Sequence, residues 1–579
     1  MTSRIHTLPE DVVYLIAAGE VVDSLAAVVR ELAENALDAG ATRITVSVWA
    51  EQWRIRVADN GRGMDLVDLQ QAALPHSTSK ICSSDDLWRV TSLGFRGEAL
   101  HSLAQLADLE IYSRTAAGHE GWRIRYNSQG EPIQVEATAI APGTIVTVSD
   151  LFGSWLPRRQ GLPSPAQQLR SIQLVIQQLA LCHPQVTWQV EQSGTADSTE
   201  TRPWFTLWAS SSPKHVLPQL LRDVQPSDLQ EWESDLNGSG ATEPAAAAST
   251  ASLYLLLGLP DRCHRHRPDW VKVAVNGRVV HVPDIEQTIF AALRRTLPRD
   301  RHPVCFLHLH LPPEQIDWNR HPAKAEIYLH HLENWQDQVK AAIAQALRLS
   351  PASIPDAAYT SRVGQLIRAA EAAGTYADPP DQSGDCNDPP ADPQAADAPL
   401  IALKAIAQVH QMYILAEHPT GMWLVEQHIA HERVLYEQLR DRWQLVPLQP
   451  PVILNQLLPL QVEQLQRIGL TVEPFGDRLW AVRLAPEPLA QRSDCAEALV
   501  ELSLGGDLDT ALVATACRTA IRNGTPLSLE EMQSLLNQWQ QTRNPRTCPH
   551  GRPIYLPLEE SSLSRFFRRH WVIGKSHGV

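Results

Sequence analysis

Hydrophobic and polar positions repeat in two different ways along this chain, and the alternation between them predicts its elements. Glu10–Gly19 and Ala26–Ala39 carry the helical period, whereas Ile44–Trp49 and Trp53–Ala58 alternate every second residue and read as strands joined by a short turn. Further on, the pattern predicts strands at Leu253–Leu257, Val271–Val275 and Val304–Leu311 and a helix over Ile285–Leu297. Met412–Ala416 and Met422–Val425 flank His-Pro-Thr-Gly as a hairpin, and a helix follows from about Ile429. The predicted class is α+β.

The pattern breaks in two places. Asp378 to Pro393 is built of Pro, Asp and Gly without apolar periodicity and cannot bury enough surface to offset its ordering entropy. It is expected to be a disordered linker, with a short helix near Leu366 ahead of it. Residues 223–250 are polar and Ala/Gly-rich, and read as a variable loop inside a domain because regular structure resumes after it. The 579 residues exceed one hydrophobic core. The expected organisation is 1–205, 206–345 containing the loop, a linker over 346–399, and 400–579.

Composition narrows the class. The 44% apolar and 20% charged residues are ordinary for a globular chain, and no apolar run reaches membrane-spanning length. With no signal-like N-terminus, the expectation is a cytoplasmic, nucleoid-associated protein without a membrane partner. Eight unevenly spaced cysteines form no disulfide framework. The net charge of −15 is concentrated: 375–399 and 223–250 each hold six acidic residues and no Lys or Arg. The remainder is near neutral, so local basic patches remain compatible with nucleic acid. Arg265, Arg267, Lys272 and Arg278 form the candidate patch for phosphates.

Candidate chemistry begins on the helix at 26–39. At 100° per residue, Glu31, Glu34, Asn35 and Asp38 share one stripe, opposite Val29, Leu32, Ala33 and Ala36. The strand at 53–58 runs into Asp59-Asn60-Gly61-Arg62-Gly63, where glycines let the backbone turn beside a carboxylate. Ser92-Leu93-Gly94-Phe95-Arg96-Gly97 opens onto a helix, a natural phosphate cradle. Pro142-Gly143-Thr144 enters a strand.

In this order the pieces resemble the GHKL ATPases, the group of gyrase B and the histidine kinases. Ala17–Val22, Arg30–Thr42, His76–Ile81 and Gly94–Leu100 resemble the MutL family of mismatch repair proteins almost word for word. The resemblance implies an N-terminal GHKL sandwich, a ribosomal-S5-like transducer domain and a C-terminal dimerisation and endonuclease domain. It implies Glu31 as general base, Asn35 as Mg²⁺ ligand, and Asp59 as acceptor of the adenine amino group. Asp38, Gly61, Gly63, Thr78, Lys80, Gly94, Phe95, Arg96, Gly97 and Thr144 complete the ATP site, with a lid over residues 74–96. Lys324, in Asp317-Trp-Asn-Arg-His-Pro-Ala-Lys324, matches the lysine that reaches the γ-phosphate, and Asn276-Gly-Arg278 matches a family string. Two strings depart from the family: Asp23-Ser-Leu-Ala lacks its proline, and Gly153–Arg159 replaces its Asn-x-Pro-Ala-Arg loop.

Val425-Glu426-Gln-His428-Ile-Ala-His-Glu432-Arg-Val-Leu-Tyr-Glu437 resembles the family's nicking motif Asp-Gln-His-Ala-x-x-Glu-x-x-x-x-Glu, with Glu426 in place of Asp. On a helix His428 and Glu432 share a face, whereas Glu437 falls about 180° from His428 and reads as structural. Together with Cys517, Cys548 and His550 the resemblance implies a Zn²⁺ or Mn²⁺ site, with Glu432 catalytic. It further implies a homodimer that binds DNA and couples to MutS, with Gln449–Leu454 as the segment facing a replication sliding clamp.

Overall fold

The computed structural model describes residues 10–81, 92–94, 97–193, 200–235, 251–317, 327–349, 400–419 and 421–559. Residues 350–399 of the expected linker, the helix near Leu366, residues 236–250 of the variable loop, and Phe95, Arg96 and Lys324 lie outside the described residues. Leu229–Asp235 of that loop instead forms a strand, and a helix runs on to Leu347 across the expected boundary at 345. The chain divides into two compact units, one of residues 1–257, 269–289 and 304–342, the other of 258–268, 290–303 and 343–579.

The first unit opens with α1 (Glu10–Val21) and α2 (Leu25–Asp38). Ser24 caps α2 by accepting the Ala27 amide at 3.2 Å. Leu25, Val28, Val29, Leu32, Ala33 and Ala36 are buried, so the apolar stripe fixes which way the polar stripe faces. Gly40, at φ 76°, lets the chain leave the helix for the sheet. The sheet is made of β1 (Arg43–Trp49), β2 (Arg54–Asp59), β3 (Asp108–Arg114), β4 (Gly121–Tyr126), β5 (Pro132–Thr138), β6 (Gly143–Ser149), β7 (Thr187–Ser193) and β8 (Thr201–Leu207). Its order is β5-β4-β3-β6-β2-β1-β7-β8, antiparallel except where β1 runs parallel to β7. Helices α1 and α2, α3 (Ala99–Leu106) and α4 (Pro165–Cys182) belong to the same unit, with α1 against α3 and α2 against α4.

A second sheet in this unit holds β9 (Leu229–Asp235), β10 (Ser252–Gly258), β11 (Val271–Val275), β12 (Arg278–Val280) and β13 (Cys305–His310), in the order β12-β11-β13-β10-β9. The predicted strands and helix are found here within a few residues, the helix ending at Leu293 rather than Leu297.

The second unit contains β14 (Lys404–Val409), β15 (Tyr413–His418), β16 (Gly421–Glu426), α5 (Gln427–Asp441), β17 (Leu445–Asn455), β18 (Val472–Pro474), β19 (Leu479–Pro486), α6 (Leu508–Thr519), α7 (Leu529–Gln540) and β20 (Tyr555–Glu559). One sheet runs β14-β15-β16-β20, and a smaller one β17-β19-β18. Helices α5 and α7 pack together, and Trp423, Trp539 and Val434 close the core beneath the larger sheet. No described helix is long and apolar enough to cross a membrane.

Candidate functional site: a nucleotide pocket and a metal-ligand cluster

The polar stripe of α2 opens into a cavity of about 680 Å³. Glu31, Asn35, Asp38, Asp59, Gly63, Thr78, Lys80, Gly94, Gly97 and Thr144 all line it. Gly61 is not among the lining residues and donates its amide to Asp59 Oδ1 at 2.8 Å. A Cβ on Gly63 would fall 2.1 Å from the Arg114 carbonyl, and Gly63 has φ 70°, so the turn beside Asp59 requires glycine. Burial pushes the Asp59 carboxyl above its ordinary value, opposed by the amides of Gly61 and Thr144. Asp59 is thus a half-buried acceptor at the end of β2, paired in register with Thr144 on β6.

Asp38 gathers the loop over the pocket. Its carboxylate accepts the amides of Leu93 and Gly94, both at 3.0 Å, and pairs with Lys80 Nζ. Lys80 Nζ also donates to Asn35 Oδ1 at 3.2 Å. The Gly94 amide, expected to face phosphate oxygens, is bound by Asp38 at the pocket lining. The oxygens of Asn35 and Asp38 already collect one cation, so the donor set suits Mg²⁺.

Glu34 leaves the stripe. It is buried, outside the pocket lining, and paired with Arg278. That pair corrects the place of Arg278 in the phosphate patch, since the guanidinium is 5% exposed and points inward. Of the other patch members, Arg267 is exposed and Arg265 and Lys272 are partly so. In the departing loop, Arg158 donates to the Gly19 carbonyl at 3.0 Å and Arg159 pairs with Asp150 at 2.7 Å, so both arginines brace the fold.

In the second unit, Glu432, Cys548 and His550 bring one ligand atom each within 4.8 Å of the others. Glu432 and Cys548 are fully buried. His550 Nδ1 lies 2.9 Å from Glu432 Oε1 and Arg552 3.5 Å from Oε2. Among the described residues, neither Glu432 oxygen nor His550 Nδ1 has a well-aligned hydrogen bond. Burial works to raise the Glu432 carboxyl, yet His550, Arg552 and His428 hold it below its ordinary value. Cys548 and Glu432 raise His550 to about 9. Cys517 stands beside Glu432, its thiol pushed up to about 11 by burial and by that carboxylate. His428 donates from Nδ1 to the Ile521 carbonyl at 2.9 Å, which leaves Nε2 as the ring nitrogen suited to a metal.

Glu426 does something else. It caps α5 by accepting the Ile429 amide, and Asn523 donates to its other oxygen at 2.6 Å. Glu437 is buried too, accepting the amides of Arg543 and Asn544 at 2.7 and 3.2 Å, as its helical angle predicted. A buried N/S/O trio fits Zn²⁺.

A helix-borne Glu/Asn/Asp set over a mixed sheet, closed by a lysine-bearing loop, defines a nucleotide-binding ATPase. Residues 23–149 match the model of the histidine kinase-, DNA gyrase B- and HSP90-like ATPases. Residues 240–348 match that of the DNA mismatch repair protein, C-terminal domain, and 406–527 that of the MutL C-terminal dimerisation domain. The DNA mismatch repair protein MutL of Nostoc sp. (strain PCC 7120) is 62% identical over the full length of both chains. That of Deinococcus radiodurans is 33% identical over 100% of this chain and 99% of its own. A solved structure of the N-terminal domain of a DNA repair protein is 25% identical, with a TM-score of 0.47, covering 57% of this chain and 96% of its own. The chain belongs to the MutL family of DNA mismatch repair proteins.

Proposed function

We propose that this chain is an ATP-switched homodimer that nicks DNA at a metal site around Glu432, licensed by MutS after mismatch recognition. The observation that carries the reading is the buried convergence of Glu432, Cys548 and His550, two of them fully enclosed. A buried carboxylate and thiol beside an imidazole, with His550 Nδ1 2.9 Å from Glu432 Oε1, form a donor set that a cation can join. Bound Zn²⁺ or Mn²⁺ would supply Lewis acidity toward a phosphodiester. The protein's part is to hold the donors: His428 is oriented through its Nδ1–H, and Arg552 offsets the charge of Glu432. Cys517, beside Glu432, is a further candidate donor.

At the other site, Glu31 would polarise the attacking water and Asn35 would hold Mg²⁺. Asp59 would read adenine, and Gly97 with the loop residues Phe95 and Arg96 would line the phosphates. Lys324 would meet the γ-phosphate from the transducer domain, making hydrolysis a switch of shape.

Support for the homodimer comes from the sheet β14-β15-β16-β20. Leu415, Leu424 and Leu556 stand side by side in register, and Met422 pairs with Leu558 in the next row of the same face. Leu556 is 57% exposed and Met422 36%. The opposite face packs on the core, so a second apolar face calls for a cover. Arg265, Arg267 and Lys272 are proposed to meet DNA phosphates. Gln449–Leu454 is the proposed clamp segment: it lies on edge strand β17, where pairing with β19 lapses between Pro447 and Val452.

Nicking of supercoiled plasmid with Mn²⁺ tests the reading, with Glu432→Gln beside wild type. Gln keeps the buried shape and removes the charge. Equal nicking by the two proteins favours instead an ATP-dependent matchmaker without nuclease activity. The engagement of Glu426 as a helix cap is the feature that reading would explain.

A further inference from the structure

The turn between β11 and β12 is clasped on every side. Asn276 and Gly277 both have positive φ, 46° and 86°, the geometry of a tight hairpin turn. Asn276 Nδ2 donates to the Leu311 carbonyl at 2.9 Å, and the Leu311 amide returns a bond to Asn276 Oδ1 at 2.8 Å. His308 Nε2 accepts the Gly277 amide at 2.9 Å, and His183 Nε2 donates to the Gly277 carbonyl at 3.0 Å. A turn held this firmly has little freedom, so the residue that follows is delivered to one place.

That residue is Arg278. From Nη2 it donates to Glu34 Oε2 and to the Leu93 carbonyl, the latter at 2.9 Å. Glu34 directly precedes Asn35 on α2 and follows Glu31 by three residues, so it shares their rigid segment. The Leu93 and Gly94 amides are bound by Asp38, which also holds Lys80. These acceptors of Arg278 directly precede Asn35 on the helix and Gly94 on the loop, two residues that line the nucleotide pocket.

We propose that Arg278 is a positioning residue of the ATP site, which ties the second sheet of its unit to α2 and to the Leu93–Gly94 loop at once. It acts through Glu34 on the orientation of Glu31 and Asn35, and through the Leu93 carbonyl on the seating of the loop over Asp38. The proposal rests on the chain's assignment as an ATPase. A buried ion pair needs a cation only. Serving an anion and a carbonyl together suits a planar, multi-donor guanidinium, whereas a lysine ammonium is a compact point charge on a flexible stem.

The experiment uses the full chain with Arg278→Lys and Glu34→Gln, each alone and combined. Readouts are kcat and KM for ATP, the dissociation constant of a fluorescent ATP analogue, the thermal midpoint, and DNA binding. Positioning predicts that kcat per nucleotide-binding molecule falls about tenfold or more in each variant, while analogue affinity stays within about threefold. The double variant loses little beyond either single one, because both changes break the same link. A folded Arg278→Lys or Glu34→Gln with undiminished kcat overturns the proposal. So does loss of DNA binding with hydrolysis intact, which would return Arg278 to the phosphate patch. If Arg278→Lys does not fold, the isosteric Glu34→Gln decides by the same criterion. Hydrolysis by wild type in the same assay separates failure of the proposal from failure of the ATPase assignment.

Discussion

The Lys80 ammonium rests on the Asp38 carboxylate, the same carboxylate that receives the amides of Leu93 and Gly94. One side chain on α2 thereby organises two separate stretches of the loop that borders the nucleotide pocket. Hydrogen bonds to a charged acceptor contribute about 1.5–3 kcal/mol each. In Asp38→Asn the side chain keeps one acceptor oxygen and turns a donor toward groups that are all donors. A ten- to hundredfold weaker dissociation constant for a fluorescent ATP analogue is expected, roughly the loss of one such bond. Tighter binding would mean instead that Asp38 competes with phosphate for these amides.

A second prediction concerns acid. Burial lowers His308 to about 3, with the neighbouring His310 and His183 adding to the effect, and its Nε2 accepts the Gly277 amide. The folded state keeps this ring neutral, whereas the unfolded chain protonates it near pH 6.5. Stability from the neutral ring is complete above about pH 6.5 and falls as pH drops toward 3, by up to about 1.4 kcal/mol per pH unit. The transition of the first unit should drop by about 3 °C between pH 6.5 and 5.5 from His308 alone. His308→Gln, which retains an acceptor and does not titrate, should flatten that slope in calorimetry. An unchanged slope would assign the acid sensitivity elsewhere.

These two residues mark what a sequence can disclose. The periodicity of α2 placed Glu31, Asn35 and Asp38 on one stripe, and all three line the pocket. It also placed Glu34 there, because a helical angle records direction and not what waits in that direction. The partner of Glu34 is Arg278, 244 residues away, and no local pattern pairs them. Glycine turns were legible for a physical reason, since Gly63 and Gly97 occupy positive φ against nearby backbone. The burial of Arg278 was not, because a Lys/Arg cluster reads the same whether it faces solvent or an acid. In the second unit, the motif singled out Glu, His and Cys residues without saying which of them meet. Only the fold separates Glu432, which joins Cys548 and His550, from Glu426, which caps the helix.

Glu437 gives a third prediction. It accepts two backbone amides near Arg543 and lies 3.8 Å from the buried Arg433 guanidinium, whose Nε binds the Thr547 carbonyl. Removing it leaves Arg433 without its counter-charge and two amides without an acceptor. Glu437→Ala should destabilise the second unit by about 3–5 kcal/mol. Denaturant unfolding measures that loss, and elemental analysis of the folded fraction should find the metal content unchanged. Metal loss without loss of stability would make Glu437 a ligand after all.

The fourth prediction separates capping from ligation at Glu426. Its carboxylate accepts the Ile429 amide and the Asn523 side chain, two partners that account for both oxygens. Asp is among the favoured N-cap residues, so Glu426→Asp should keep the cap while shortening the reach to Asn523. Mn²⁺-dependent nicking is expected to be retained or raised in that variant. Glu426→Ala should cost about 1 kcal/mol, the usual value of a lost cap, with bound metal per chain unchanged. Paired measurements of thermal midpoint and metal content decide the matter. If Glu426→Ala loses metal while its midpoint holds, the carboxylate belongs to the metal site and the cap is incidental. A lower midpoint with full metal content instead assigns Glu426 to α5, leaving Glu432, Cys548 and His550 as the ligand core.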